Sequence, residues 1–212
     1  AQFNAGRITS TSAKVDPKSI SERKCFLCIE NLPAEQKGIL YNDKYIILCN
    51  PFPIFPTHFT LTHKEHTPQR IIDTFSDMLD LSKDLSKYYS VIYNGPRCGA
   101  SAPDHLHFQA GNKFFMAIDD EFHQIKNEYG KVTYEDDNLS FYAIDDGVRK
   151  FVSIECLDKE LIVTTFNKFY KTYSELMNEE QEPMINLVSF YEEEYGWRVI
   201  IFLRAKHRPA VF

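Results

Sequence analysis

Asn94-Gly95-Pro96-Arg97-Cys98-Gly99-Ala100-Ser101-Ala102-Pro103-Asp104-His105-Leu106-His107-Phe108-Gln109 reads as a loop of small residues running straight into a short strand. In an extended segment successive side chains alternate faces, so His105, His107 and Gln109 share one face while Leu106 and Phe108 take the other. Two imidazoles and an amide then form a polar row, anchored from behind by two large apolar residues. Upstream, Gly95, Gly99 and Ser101 offer backbone N–H groups and a hydroxyl able to cradle a phosphate. Asn94, at the head of the loop, either bonds a phosphoryl oxygen or caps the turn. A phosphate cradle that hands over to paired histidines is a layout for phosphoryl chemistry.

On the N-terminal side, Ser90-Val91-Ile92-Tyr93 is a strand feeding this loop. Before it, Thr67-Pro68 places an N-cap ahead of a first-turn proline, and Ile71, Phe75, Met78, Leu79, Leu81 and Leu85 recur at helical spacing. The spacing predicts a helix from residue 68 to about 89. Asn42-Asp43 between Ile39-Leu40-Tyr41 and Tyr45-Ile46-Ile47-Leu48 signals a hairpin. Three prolines in Asn50-Pro51-Phe52-Pro53-Ile54-Phe55-Pro56 exclude a central strand and make a rigid apolar wall, for a nucleobase or for the core. His58-Phe59-Thr60-Leu61-Thr62 resumes strand alternation. Residues 1–24 are polar and aperiodic, an arm.

On the C-terminal side, a short helix is expected from Asp119 to Glu128, and strands near Val132, Phe141 and Val152. Asp158 caps a second amphipathic helix carrying Leu161, Phe166, Phe169, Tyr173 and Met177. Met184 to Tyr191 and Trp197 to Leu203 flank Tyr195-Gly196 as a hairpin. Antiparallel hairpins alternating with two long helices predict an α+β domain.

A formal charge of −6 over 212 residues offers no basic stripe and argues against nucleic-acid binding. No apolar run reaches the length of a membrane span. The opening Ala1-Gln2-Phe3-Asn4 lacks a signal-peptide pattern, although a cleaved one would leave no trace. Seventeen Phe and twelve Tyr suit a β-containing core, and five cysteines, an odd number, point to a reducing, cytoplasmic compartment.

His-Leu-His-Phe-Gln after Gly-Ala-Ser resembles the His-x-His-x-Gln signature of the histidine-triad superfamily's transferase branch. That branch holds galactose-1-phosphate uridylyltransferase, the dinucleoside-tetraphosphate phosphorylases and the GDP-hexose phosphorylases. The likeness runs from about Cys25 onward, and the spacing from Ser101 to the first histidine departs from the uridylyltransferase pattern by a residue. It implies a histidine-triad-like antiparallel sheet with two long helices packed on it, and His107 as the nucleophile that accepts a nucleoside monophosphate. Gln109 stands where the superfamily's hydrolases place a histidine. An amide has no usable proton equilibrium and can only donate a hydrogen bond to a phosphoryl oxygen, which favours transfer to a phosphate or sugar phosphate over hydrolysis. His58 stands where the family approaches substrate, although a half-exposed strand histidine accounts for it equally well.

Cys25-x-x-Cys28 says little alone. Joined with His66 and His105 it makes the two-thiolate, two-imidazole set of a closed zinc site, and the resemblance implies such a structural zinc; reduced, metal-free core cysteines are the alternative. Leu61-Thr62-His63-Lys64-Glu65-His66 and Leu203-Arg204-Ala205-Lys206-His207 echo one another. With the branch's two half-units per chain in view, the expected division is an arm (1–24), a histidine-triad-like nucleotidyl-transfer domain (25–180) and the opening of a second, incomplete half-unit (181–212).

The expected function is therefore transfer of a nucleoside monophosphate, from a nucleoside-diphosphate sugar or a dinucleoside polyphosphate, through His107. The partners are that nucleotide and a phosphate or sugar-phosphate acceptor, without nucleic acid or membrane, and with a homodimer left open. The alternatives are a nucleotide hydrolase of the same fold and a non-catalytic, zinc-stabilised nucleotide-binding module.

Overall fold

Asn42 and Asp43 both adopt left-handed φ, 49° and 52°. That turn matches the right-handed twist of paired strands and folds β1 (Gly38–Tyr41) onto β2 (Tyr45–Cys49). The computed structural model describes residues 15–178 and 181–206. After β2 come β3 (His58–His63), α2 (Phe75–Asp84), β4 (Tyr89–Asn94) and β5 (His107–Asn112), α1 (Pro17–Glu22) having preceded β1. The chain continues through α3 (Ala117–Tyr129), β6 (Gly130–Glu135), β7 (Leu139–Asp145), β8 (Lys150–Cys156), α4 (Lys159–Met177), β9 (Ile185–Glu192) and β10 (Gly196–Leu203).

All ten strands join one antiparallel sheet in the order β1-β2-β3-β5-β4-β9-β10-β8-β7-β6. The order holds a duplication. Strands β1-β2-β3-β5-β4, with α2 between β3 and β4, repeat as β6-β7-β8-β10-β9, with α4 between β8 and β9. The two units meet where β4 pairs with β9, Val91 opposite Ser189 and Asn94 opposite Asn186. The repeated strand order opens at β6, ahead of the boundary expected at residue 181. Residues 185–203 are central strands of the shared sheet. The Lys-His echo is out of step with the repeat, since Leu203 ends β10, the counterpart of β5 and not of β3; His207 lies outside the described residues, as do residues 1–14 of the arm.

One face of the sheet carries α2 and α4. Phe75, Met78, Leu79 and Leu81 of α2 and Ile162, Phe166 and Tyr170 of α4 share a core with Leu61, Val91, Phe108, Leu187 and Val199. Phe75 and Phe166 stack at 3.8 Å, joining the two helices. The Asp158 side chain caps α4, accepting from the Leu161 N–H at 2.8 Å. On the other face α3 sets Ile118, Phe122 and Ile125 against Val188, Phe190 and Ile200, pinned by Lys126 to Glu155, which also accepts from Arg198 Nε at 2.8 Å.

The helix expected over 68–89 is shorter. Residues 68–74 run irregularly: the Ile71 N–H, which a helix from Pro68 would use for its first internal bond, donates to the Glu182 carboxylate at 2.6 Å, and the Gln69 N–H donates to the Pro103 carbonyl at 3.3 Å. In the arm, Asp16 accepts from the Ser19 N–H at 3.0 Å and caps α1, a local helix that no apolar periodicity announced. No helix among the described residues is long and apolar enough to cross a membrane.

Candidate functional site

Phe108 and Ala110 point into the α2–α4 core, so His107, Gln109 and Gly111 line the opposite face of β5. Their cross-strand partners on β3 are Thr62, Thr60 and His58. His105 lies just before the strand and does not extend this row; it turns toward the cysteines instead.

His107 is 7% exposed, and its Nδ1–H donates to the His105 carbonyl at 2.8 Å. That bond selects the tautomer and leaves the lone pair on Nε2. Burial pulls its pKa down to about 4, so the ring is neutral at physiological pH. His58 Nδ1 accepts the Ile54 N–H at 3.1 Å, which puts its proton on Nε2, and Nε2 donates to Gln109 Oε1 at 2.8 Å. The Gln109 carbonyl is thereby engaged and its NH2 group is turned away from His58, as a donor. At the far end of the row the Phe55 ring lies over Gly111, where a Cβ would come within 2.4 Å of it. Phe115 packs on Phe55 at 5.1 Å, forming an aromatic wall.

The second cluster abuts the first. Cys25 Sγ lies 3.3 Å from His105 Nδ1, and Cys28 Sγ lies 3.2 Å from His66 Nδ1 and 3.6 Å from His105 Nδ1. All four ligand atoms fall within 4.8 Å of one another. Bond lengths of about 2.0–2.3 Å from a central ion give tetrahedral edges of roughly 3.3–3.8 Å, close to the 3.2, 3.3 and 3.6 Å sulfur–nitrogen separations. His105 Nε2–H donates to the His63 carbonyl at 2.7 Å, which aims the Nδ1 lone pair at the sulfurs. Burial raises the Cys25 thiol, but His105 together with the Leu27 and Cys28 backbone N–H groups draws its pKa down to about 6; burial and the neighbouring Cys25 push Cys28 up to about 11. The cluster can hold a metal ion. Arg23 pairs with Asp104 at 2.6 Å and ties the entering chain beside it.

The loop is less open to a phosphate than its composition implies. The Gly95 N–H already donates to the Ile185 carbonyl at 3.2 Å and to Asn186 Oδ1 at 3.3 Å. Arg97 donates to the Glu182 carbonyl at 2.9 Å, and Cys98 is buried. Gly99 has φ of 99° with open space around it, Ser101 is half-buried, and Asn94 ends β4 opposite Asn186. Residues missed from sequence are Gln69 and Glu182. Both are polar, almost fully buried, and bonded to partners at least 25 positions away, so no local pattern marks them.

A family model described as "Domain of unknown function (DUF4922)" matches residues 1–112. The chain belongs to the DUF4922 family. A search of curated proteins finds no significant match. Among solved structures, a DUF4931 family protein from Bacillus cereus aligns with TM-score 0.55 and 16% identity, covering 82% of this chain and 88% of that one. Yeast Ap4A phosphorylase Apa2, in complex with Ap4A, aligns with TM-score 0.54 and 17% identity over 88% of this chain and 67% of its own; without ligand, 58% of the phosphorylase is covered. A uridylyltransferase mutant aligns with TM-score 0.53 and 11% identity over 85% and 81% of the two chains. At these identities the likeness shows the fold: this DUF4922 chain has the histidine-triad-like fold.

Proposed function

We propose that this protein is a nucleotidylyltransferase or phosphorylase of the histidine-triad superfamily's transferase branch. It moves a nucleoside monophosphate from a nucleoside-diphosphate sugar or a dinucleoside polyphosphate through a covalent adduct on His107. The observation that carries the reading is the neutral His107 ring, proton fixed on Nδ1, on the same strand face as a Gln109 amide whose oxygen is already engaged. Its nearest supports are the two enzymes of the same fold, one of them solved with AMP and with Ap4A.

His107 Nε2 attacks the α-phosphorus in line. A P–N bond forms as the P–O bond to the sugar phosphate or nucleoside polyphosphate breaks, and the His105 carbonyl stabilises the charge gained at Nδ1. The Gln109 NH2 donates to a phosphoryl oxygen. In the second step an oxygen of phosphate or a sugar phosphate attacks, forming P–O and releasing the histidine. Asn94, Gly99 and Ser101 are the proposed contacts to the phosphate chain, and Phe55 with Phe115 is the wall for the base. The chemistry sits in the first half-unit.

Zinc is the metal we assign to Cys25, Cys28, His66 and His105, since two thiolates and two imidazoles make a closed set for it. It would clamp the N-terminal segment to the chain entering β5 and take no part in either step. Incubation with a panel of nucleoside-diphosphate sugars and dinucleoside polyphosphates is expected to add one nucleoside monophosphate mass, acid-labile and alkali-stable. The mass is absent in His107→Asn and discharged faster by phosphate or a hexose 1-phosphate than by water. Absence of an adduct with every donor refutes the nucleophile assignment; discharge by water alone makes the protein a hydrolase.

A further inference from the structure

Gln69 is 2% exposed, on the irregular stretch between β3 and α2. Its Oε1 accepts the His107 backbone N–H at 2.8 Å, and its Nε2 donates to the carbonyls of His107 and Asn94, both at 3.0 Å. The β4–β5 register pairs Ile92 with Gln109 and goes no further toward the loop. Beyond that pair, this one side chain bridges the backbones of the two strands.

A buried peptide group left without a partner is destabilising. A primary amide carries a carbonyl and two N–H donors, so it can serve as a peptide group where the ladder ends. Both of its N–H donors and its carbonyl oxygen are engaged by backbone, so it has no donor left for a phosphoryl oxygen. The stretch bearing it is stitched to the loop before β5, Leu106 N–H to Thr67 O at 2.7 Å and Gln69 N–H to Pro103 O at 3.3 Å.

We infer that Gln69 is a positioning residue for His107: it holds the backbone from which the attacking imidazole projects, without touching substrate. The inference rests on the reading of His107 as the nucleophile. Its effect belongs in the rate of P–N bond formation, not in nucleotide affinity, because the attack requires in-line placement and the binding contacts lie elsewhere.

The test is single-turnover adduct formation in wild type, Gln69→Ala and Gln69→Glu, with nucleotide affinity measured separately on each. A displacement of about 1 Å at a reacting group costs on the order of a hundredfold, so Gln69→Ala is expected to slow adduct formation by about that factor with affinity changed by less than about threefold. Gln69→Glu keeps the acceptor for the His107 N–H but loses both donors, and is expected to fall between; it carries the test if Gln69→Ala does not fold. Unchanged rates in the variants, with wild type forming the adduct, overturn the inference and leave the proposed function standing. If wild type forms no adduct, the proposed function fails. The positioning is then read from amide hydrogen exchange: the His107 N–H should be protected in wild type and exchange faster in the variant while Phe108 and Ala110 stay protected. Equal protection overturns it.

Discussion

Replacing Glu182 by Gln should make the protein more stable above neutral pH and leave it unchanged in mild acid. Glu182 is 5% exposed, accepts the Ile71 N–H at 2.6 Å and the Tyr93 hydroxyl at 2.5 Å, and joins three segments. Burial raises its pKa from an ordinary 4.5 to about 7, against the lowering by those two hydrogen bonds. Its charged neighbours, Arg70 and Asp73, act in opposite senses. A folded-state pKa above the unfolded value means the folded protein binds the proton more tightly. The contribution is fully present below pH 4.5 and is lost as pH rises through about 7. At about 1.36 kcal/mol per pH unit, the loss amounts to roughly 3 kcal/mol by pH 8. A glutamine imitates the protonated acid: its oxygen can accept from Ile71 and its NH2 can donate to Tyr93. Urea unfolding from pH 4 to 8.5 should therefore show wild type and Glu182→Gln matching near pH 4 and diverging by roughly 3 kcal/mol at pH 8, the variant being the more stable. Parallel curves across that range would refute the reasoning.

Purified protein should carry close to one zinc per chain, lost in the Cys25→Ser, Cys28→Ser double variant, and chelation should lower the melting temperature because binding free energy is folding free energy; metal-free protein of equal stability contradicts the assignment. Phe166→Ala removes a fully buried ring stacked on Phe75 and should cost about 3–5 kcal/mol in denaturant unfolding. Gly111→Ala would drive a methyl into the Phe55 ring and displace the aromatic wall. It should weaken nucleotide binding by about tenfold, seen by calorimetry, a change of about 1.4 kcal/mol.

Local chemistry was legible where it is set by neighbours in the chain. The Asn42-Asp43 turn, the Asp158 cap and the Tyr195-Gly196 hairpin depend on φ preferences and short-range hydrogen bonds, and each sits where the pattern places it. The helix spans Phe75–Asp84 and not 68–89, because apolar spacing marks a buried face without saying where backbone donors go. Ile71 is buried as expected, yet its N–H serves Glu182, more than a hundred positions away.

The duplication shows the same divide at larger scale. The Lys-His echo suggests a repeat without placing it, and the repeated strand order becomes visible only once β9 pairs with β4.

By itself the sequence determined the α+β class, the polar face carried by His107 and Gln109, and the two-cysteine, two-histidine set that can bind a metal. Residue type and alternation are enough for the first two, since a strand's period of two assigns each side chain a face; the ligand set is what the family resemblance implies. Only the tertiary structure decided that His105 leaves the row for the cysteines, that the Gly95 N–H is committed to Ile185 and Asn186, and that the His107 backbone is held by Gln69. Those outcomes are competitions among distant hydrogen-bond partners for the same donors and acceptors, and the winner is known only when the chain has brought them together.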